Sequence, residues 1–148
     1  MKKLIAIIVL SFLFSLNAFG DLKGIIEVKL LIERLDPQDK DCGVTKEQLE
    51  TSVRYILSNS KIKIVDQGSV PTLYINSNIG QNNGCYANTA IEVYKYMKDP
   101  GSNNWGSFIY YSSREISSGG KGTAFGNPYI NAFEQQLKRL VVEHLKDN

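Results

Sequence analysis

Histidine and cysteine are almost missing from this chain, with one and two copies in 148 residues. A zinc centre needs three or four ligands, so a lone His and two Cys make a poor set. No Cys-x-x-Cys is present, and no Gly-x-Ser-x-Gly elbow. No block of five like charges occurs, which argues against a charged tail. Beyond the first twenty residues there is no long apolar run, so no membrane span is expected there. Internal repeats and low-complexity linkers are also lacking.

What is present begins with MKKLIAIIVLSFLFSLNAFG. Lys2 and Lys3 form a short basic start. Residues 4–16 are apolar apart from Ser11 and Ser15, and Ala18 and Gly20 supply small residues before Asp21. This is the three-part pattern of a secretory signal, with cleavage expected after Gly20. No cysteine follows the run, so no lipid anchor site is expected. Residues 1–20 read as a signal peptide and 21–148 as a single α+β domain, large enough for a real core. The signal carries two of the 17 basic residues and no acid. The remaining chain therefore balances 15 basic against 15 acidic side chains. A neutral chain without a basic run is poorly suited to a phosphate backbone, so no nucleic-acid partner is expected.

Residues 25–35, IIEVKLLIERL, put Ile26, Val28, Leu30 and Ile32 on one face, which predicts a strand. Thr45-Lys46-Glu47-Gln48 fits a capping box. Leu49, Val53, Ile56 and Leu57 follow as one helical stripe that ends near Asn59-Ser60. Residues 61–65 make a short strand whose lysines suit an edge. Three longer strands follow at 72–79, 87–98 and 105–116, joined by polar turns as an antiparallel meander. A glycine-rich crossover loop is expected at 117–126. Asn127 then caps a last helix, with Pro128 at its first position and a stripe of Ile130, Phe133, Leu137, Leu140 and Val141. The order is β-α-β-β-β-β-α. Both helices need one apolar surface, so the expected fold is a two-layer α+β sandwich: a mainly antiparallel mixed sheet with two helices on one face. The helix between the first two strands allows those strands to be parallel.

Cys42 and Cys85 lie at the ends of elements. Export would place them where disulfides persist, and an even pair allows one internal bridge. The competing readings are a redox pair, because Cys42 is near a helix start, and a metal site.

Other candidate chemistry is thin. His144 falls in a helical pattern and reads as a surface residue near a helix C-terminus. The loop Ser117–Thr123 follows a strand, but Gly122 separates Lys121 from Thr123, so the phosphate-loop spacing fails. Glu92 and Glu115 lie in strands, and no spacing rule singles them out as a glycosidase pair. The more specific feature is aromatic. Leu73, Ile75, Ile91 and Val93 share the parity expected to face the helices. Thr72, Tyr74, Asn76 and Asn78, with Glu92, Tyr94, Tyr96 and Lys98, take the other parity. Phe108 with Tyr110, or Ile109 with Tyr111, joins from the third strand. Tyrosines and amides are good material for stacking sugars or meeting a protein. Tyrosine also simply favours strands.

The segments CGVTKEQLETSVRYILSNSKIKIVD, PTLYINSNI and GCYANTAIEVY, with the final LKDN, resemble small exported bacterial proteins that carry a two-cysteine α/β domain. The resemblance spans roughly residues 41–148. It implies the Cys42–Cys85 bridge and an exported location, and it supplies no activity. The element order is also loosely similar to the amino-terminal domain of TolB, without that protein's propeller repeats.

These features favour a disulfide-stapled, non-catalytic binding module of the periplasm or medium, with no cofactor. Tyr74, Tyr94 and Tyr96, or an exposed strand edge near residues 61–66, would meet an envelope protein or glycan. A periplasmic hydrolase acting on glycans and a self-associating structural protein are the alternatives.

Overall fold

The computed structural model describes residues 21–148; the expected signal peptide lies outside the described residues. The strands are β1 (Glu27–Ile32), β2 (Lys63–Ile64), β3 (Thr72–Gln81), β4 (Cys85–Lys98) and β5 (Trp105–Gly119). A 3-10 turn at Pro37–Cys42 precedes helix α1 (Lys46–Ser58), and helix α2 (Thr123–Asp147) follows the sheet. The sheet order is β2-β1-β3-β4-β5. β1 runs parallel to both β2 and β3, and the other pairs are antiparallel. The expected α+β order and the parallel start are therefore present. β2 is shorter than expected and lies at one edge.

Local sequence explains α1. The Thr45 hydroxyl accepts from the Gln48 amide at 3.2 Å, and the Gln48 side chain accepts from the Thr45 amide at 2.7 Å. Two of the amides left open at a helix start are thus satisfied. The expected stripe of Leu49, Val53, Ile56 and Leu57 is buried. Ser52 is buried with it and donates to Glu134 of α2 at 3.0 Å.

The core lies between the helices and one sheet face. Leu73, Ile75, Ile79, Ala87, Ile91 and Val93 point into it, as the parity predicts. α2 docks through Phe125, Tyr129, Phe133, Leu137 and Leu140. The Phe125 and Tyr129 rings stack with centroids 5.4 Å apart. Tyr129 ends on two hydroxyls of the sheet, Ser77 at 2.6 Å and Thr89 at 2.9 Å. A buried phenol needs such partners. Burial also raises the Tyr129 pKa above the usual tyrosine value.

Three expectations are corrected. Residues 117–126 do not form a crossover loop. Ser117, Ser118 and Gly119 extend β5 against Ala87, Tyr86 and Cys85, and α2 begins at Thr123. Asn127 is thus inside the helix rather than its cap, and Pro128 sits past the first turn. The helix starts early because that buries Phe125, with the Phe125 and Gly126 amides both donating to the Gly122 carbonyl. His144 is not a surface residue. It is 0% exposed, and neither ring nitrogen meets a protein hydrogen-bond partner. The start of the described chain, where Leu22 and Ile25 are also buried, is tied to the same end of α2. The Asn148 side chain ties the two ends together. It accepts from the Gly24 amide at 2.8 Å and donates to the His144 carbonyl at 2.8 Å.

Cys42 and Cys85 are bonded, with Cα atoms 5.8 Å apart. Around the bridge the backbones touch. Gly43 has φ of +74°, and a Cβ on it would lie 2.6 Å from the Gly122 carbonyl oxygen. A Cβ on Gly126 would lie 2.3 Å from the Gly43 oxygen. Gly126 is therefore the residue that lets α2 reach the turn. Gly126→Ala is expected to cost about 1–3 kcal/mol of unfolding free energy, because backbone rather than a flexible side chain must move. A urea titration reads this directly.

Candidate functional site

With α1 and α2 on one side, the other face of the sheet is left to the even-numbered residues of β3 and β4. The register places Thr72 opposite Tyr94, Tyr74 opposite Glu92, Asn76 opposite Ala90 and Asn78 opposite Asn88. Leu31 of β1 lies beside Tyr74. Tyr74, Tyr94 and Tyr96 thus share this open face, as their parity predicts.

They do not form one cluster. The Tyr74 and Tyr94 rings meet edge to face, with centroids 6.2 Å apart and planes at 72°. The Tyr74 hydroxyl donates to the Glu33 carboxylate and accepts from the Asn76 amide at 3.3 Å. Accepting from the phenol, Glu33 favours its neutral form and raises the Tyr74 pKa; burial adds to this. Tyr96 instead stacks on Trp105, with centroids 5.6 Å apart and planes within 15°. Both rings are more than half exposed, at 62% and 63%. Tyr94 and Tyr96 stand about 7 Å apart along the strand, so the two aromatic pairs adjoin.

Trp105 is the residue that sequence parity missed. Its place depends on an irregularity between β4 and β5. Tyr94 pairs with Ile109 while Val93 pairs with Tyr111, which leaves Tyr110 as an extra residue in β5. A bulge of this kind switches the faces of a strand on either side of it. Tyr111 is buried on the helix side, and burial raises its pKa. Before the bulge, Trp105, Ser107 and Ile109 share the open face with Tyr94, Tyr96 and Lys98, while Phe108 falls on the other. Neither expected pairing, Phe108 with Tyr110 or Ile109 with Tyr111, survives. Counting back from the hairpin turn, with Lys98 opposite Trp105, would have found the tryptophan.

The two charged groups at the centre of the open face are committed to each other. Glu92 lies 3.6 Å from Arg114 and accepts from Ser112 at 3.5 Å. Tyr86 lies over Gly80, where a Cβ would fall 2.2 Å from the ring. Covering a strand glycine with an aromatic ring protects the ladder there. Glu115 is on the helix side and pairs with Arg139. Glu92 and Glu115 therefore lie on opposite faces of the sheet and cannot flank one bond. Among the described residues, no group of three or more His, Cys, Asp or Glu is placed to hold a metal ion. No described helix is long and apolar enough to cross a membrane. Clefts form elsewhere, such as the one bounded by Lys29, Ile32, Lys46 and Arg54 and the one bounded by Tyr111, Ser113, Arg139 and Glu143.

No family model matches the chain, and no curated protein does. Among solved structures, it is similar to a minor lipoprotein from Acinetobacter baumannii, at 14% identity and a TM-score of 0.31. That match covers 83% of this chain and 86% of the other. It is also similar to the rare lipoprotein B from Shewanella oneidensis, at 15% identity and a TM-score of 0.34. There the coverage is 81% of this chain and 91% of the other. Superposition at that level does not assign the chain to a family, and the likeness to the TolB amino-terminal domain is not shown.

The Tyr74–Glu33 contact has a direct signature. Carbon NMR of labelled tyrosine should show the Tyr74 phenol titrating above the usual value near 10. Glu33→Gln should lower that pKa, since the negative acceptor that holds the proton is gone. A Tyr74 resonance that titrates identically in both proteins would disprove the contact.

Proposed function

We propose that the protein is an exported binding module that holds its ligand on the open aromatic face of the sheet. Residues 1–20 serve as the export signal and 21–148 as the working domain, in the periplasm or outside the cell. The observation that carries this reading is the pair of adjoining aromatic clusters, Tyr74 with Tyr94 and Tyr96 with Trp105, on the face opposite both helices. Tyr96 and Trp105 are left more than half exposed by their own fold, an unusual use of large apolar rings. The Cys42–Cys85 bridge supports an oxidising compartment.

The ligand class best supported is a glycan. The exposed Tyr96–Trp105 stack offers a flat apolar platform. Ser107, Lys98 and the amides of Asn76, Asn78 and Asn88 bring hydrogen-bonding groups to the same face. A sugar ring presents this combination, a C–H face rimmed by hydroxyls. A sheet face suits an extended chain better than a small molecule, which needs a concave site. An envelope protein is the second reading, favoured by Leu31 and Ile109, which are exposed on the same side. A glycan hydrolase built on Glu92 and Glu115 is disfavoured by their placement on opposite faces.

The test uses the exported protein against insoluble cell-wall glycan and, separately, an envelope protein extract. Tyr96→Ser with Trp105→Ser should reduce glycan retention at least tenfold while far-UV and near-UV circular dichroism keep their native form. Adding Tyr74→Ser and Tyr94→Ser should abolish it. Retention unchanged in the fourfold variant refutes the site. Capture of a protein alone, lost in the same variants, replaces the glycan by the second reading.

A further inference from the structure

The two edges of the sheet are built differently. On one side β2 has two residues, and Lys61 and Lys63 guard it. Short edge strands and lysines are standard protection against pairing with another chain. On the other side β5 runs for 15 residues with neither proline nor lysine, and no described strand pairs with its outer edge. Its two charged side chains have partners inside the protomer, Arg114 with Glu92 at 3.6 Å and Glu115 with Arg139. Ile116 is 84% exposed, the most of any large hydrophobic side chain among the described residues.

We infer that the outer edge of β5 pairs with the same edge of a second copy, giving a two-fold dimer with one continuous sheet. The bulge at Tyr110 interrupts the edge, so the regular stretch is Tyr111–Gly119. Identical edges pair antiparallel about a two-fold axis, and the axis stands normal to the sheet so that each face continues into its copy. Charge excludes two of the registers. An axis through residue 114 sets arginine against arginine, and one through 115 sets glutamate against glutamate; both repel. An axis through 113 sets Ile116 against the bulged Tyr110, where the ladder is broken. An axis through 116 sets Ile116 against its counterpart, Arg114 against Ser118 and Glu115 against Ser117. That register buries the most exposed apolar side chain and opposes no like charges. This surface is separate from the Tyr74, Tyr94, Tyr96 and Trp105 clusters and does not rest on the ligand proposed for them.

Sedimentation velocity of the exported, disulfide-bonded protein at micromolar concentration should give twice the chain mass. Ile116→Lys places two cations at the axis and should weaken dimerisation by roughly tenfold or more. Lys63→Ser, on the other edge, should leave the mass unchanged. Because directly opposed Cβ atoms stand about 4.5–5.5 Å apart, Ile116→Cys should give an intermolecular disulfide on mild oxidation. Ser107→Cys, on the far side of the bulge, should not. A monomer at micromolar concentration overturns the inference, whether β5 is then bare or takes an extended segment of another protein. So does a dimer that Ile116→Lys leaves intact.

Discussion

The rest of the structure hangs on the covalent bridge between Cys42 and Cys85. Four stretches of chain meet there. Cys42 ends the 3-10 turn, and Cys85 begins β4, opposite Gly119 of β5. The Cys85 amide donates to the Gly120 carbonyl at 3.1 Å. The Gly122 amide donates to the Asp41 carbonyl at 2.9 Å, and Gly126 of α2 rests on Gly43. Fixing the bridge therefore fixes where α1 begins, where the meander opens and where α2 enters. Closing a span of 43 residues contributes roughly 4 kcal/mol in the chain-entropy account. A domain of this size holds about 5–15 kcal/mol in total.

From that point the asymmetry of the sheet follows. Both helices are committed to one face, where Tyr129 is tied to Ser77 and Thr89 and where the leucines and isoleucines are buried. The opposite face receives the even-numbered residues of β3 and β4, among them four tyrosines and three asparagines. The bulge in β5 then adds Trp105 and Ile109 to that face and takes Tyr111 away. One extra residue thus sets the composition of the surface on which the proposed function rests. It also divides the β5 edge, leaving a regular half and an irregular half.

Much of this was legible in the chain. The Thr45–Gln48 box, the α1 stripe and the strand parities are short-range patterns, and each reports its own geometry. What was hidden depends on distant contacts. Nothing near Asn127 and Pro128 discloses that the helix begins at Thr123, because the cause is the burial of Phe125 and the approach of Gly126 to Gly43. His144 has the local look of a surface residue, yet it is fully buried at the helix end to which the distant Gly24 is tied through Asn148. The face of Trp105 could not be read by counting within β5 alone, since the bulge resets the count. Tyr74, Tyr94 and Tyr96 were found by parity, yet their division into two pairs depends on Trp105.

The most direct measurement is paired guanidinium unfolding of the bridged protein and the Cys42→Ala/Cys85→Ala variant, with amide exchange followed in both. The account predicts a loss of roughly 4 kcal/mol. It also predicts that protection falls first at the amides of Cys85, Gly122 and Gly126, ahead of the centre of β3 and β4. Equal stability, or protection lost evenly across the sheet and both helices, would contradict it.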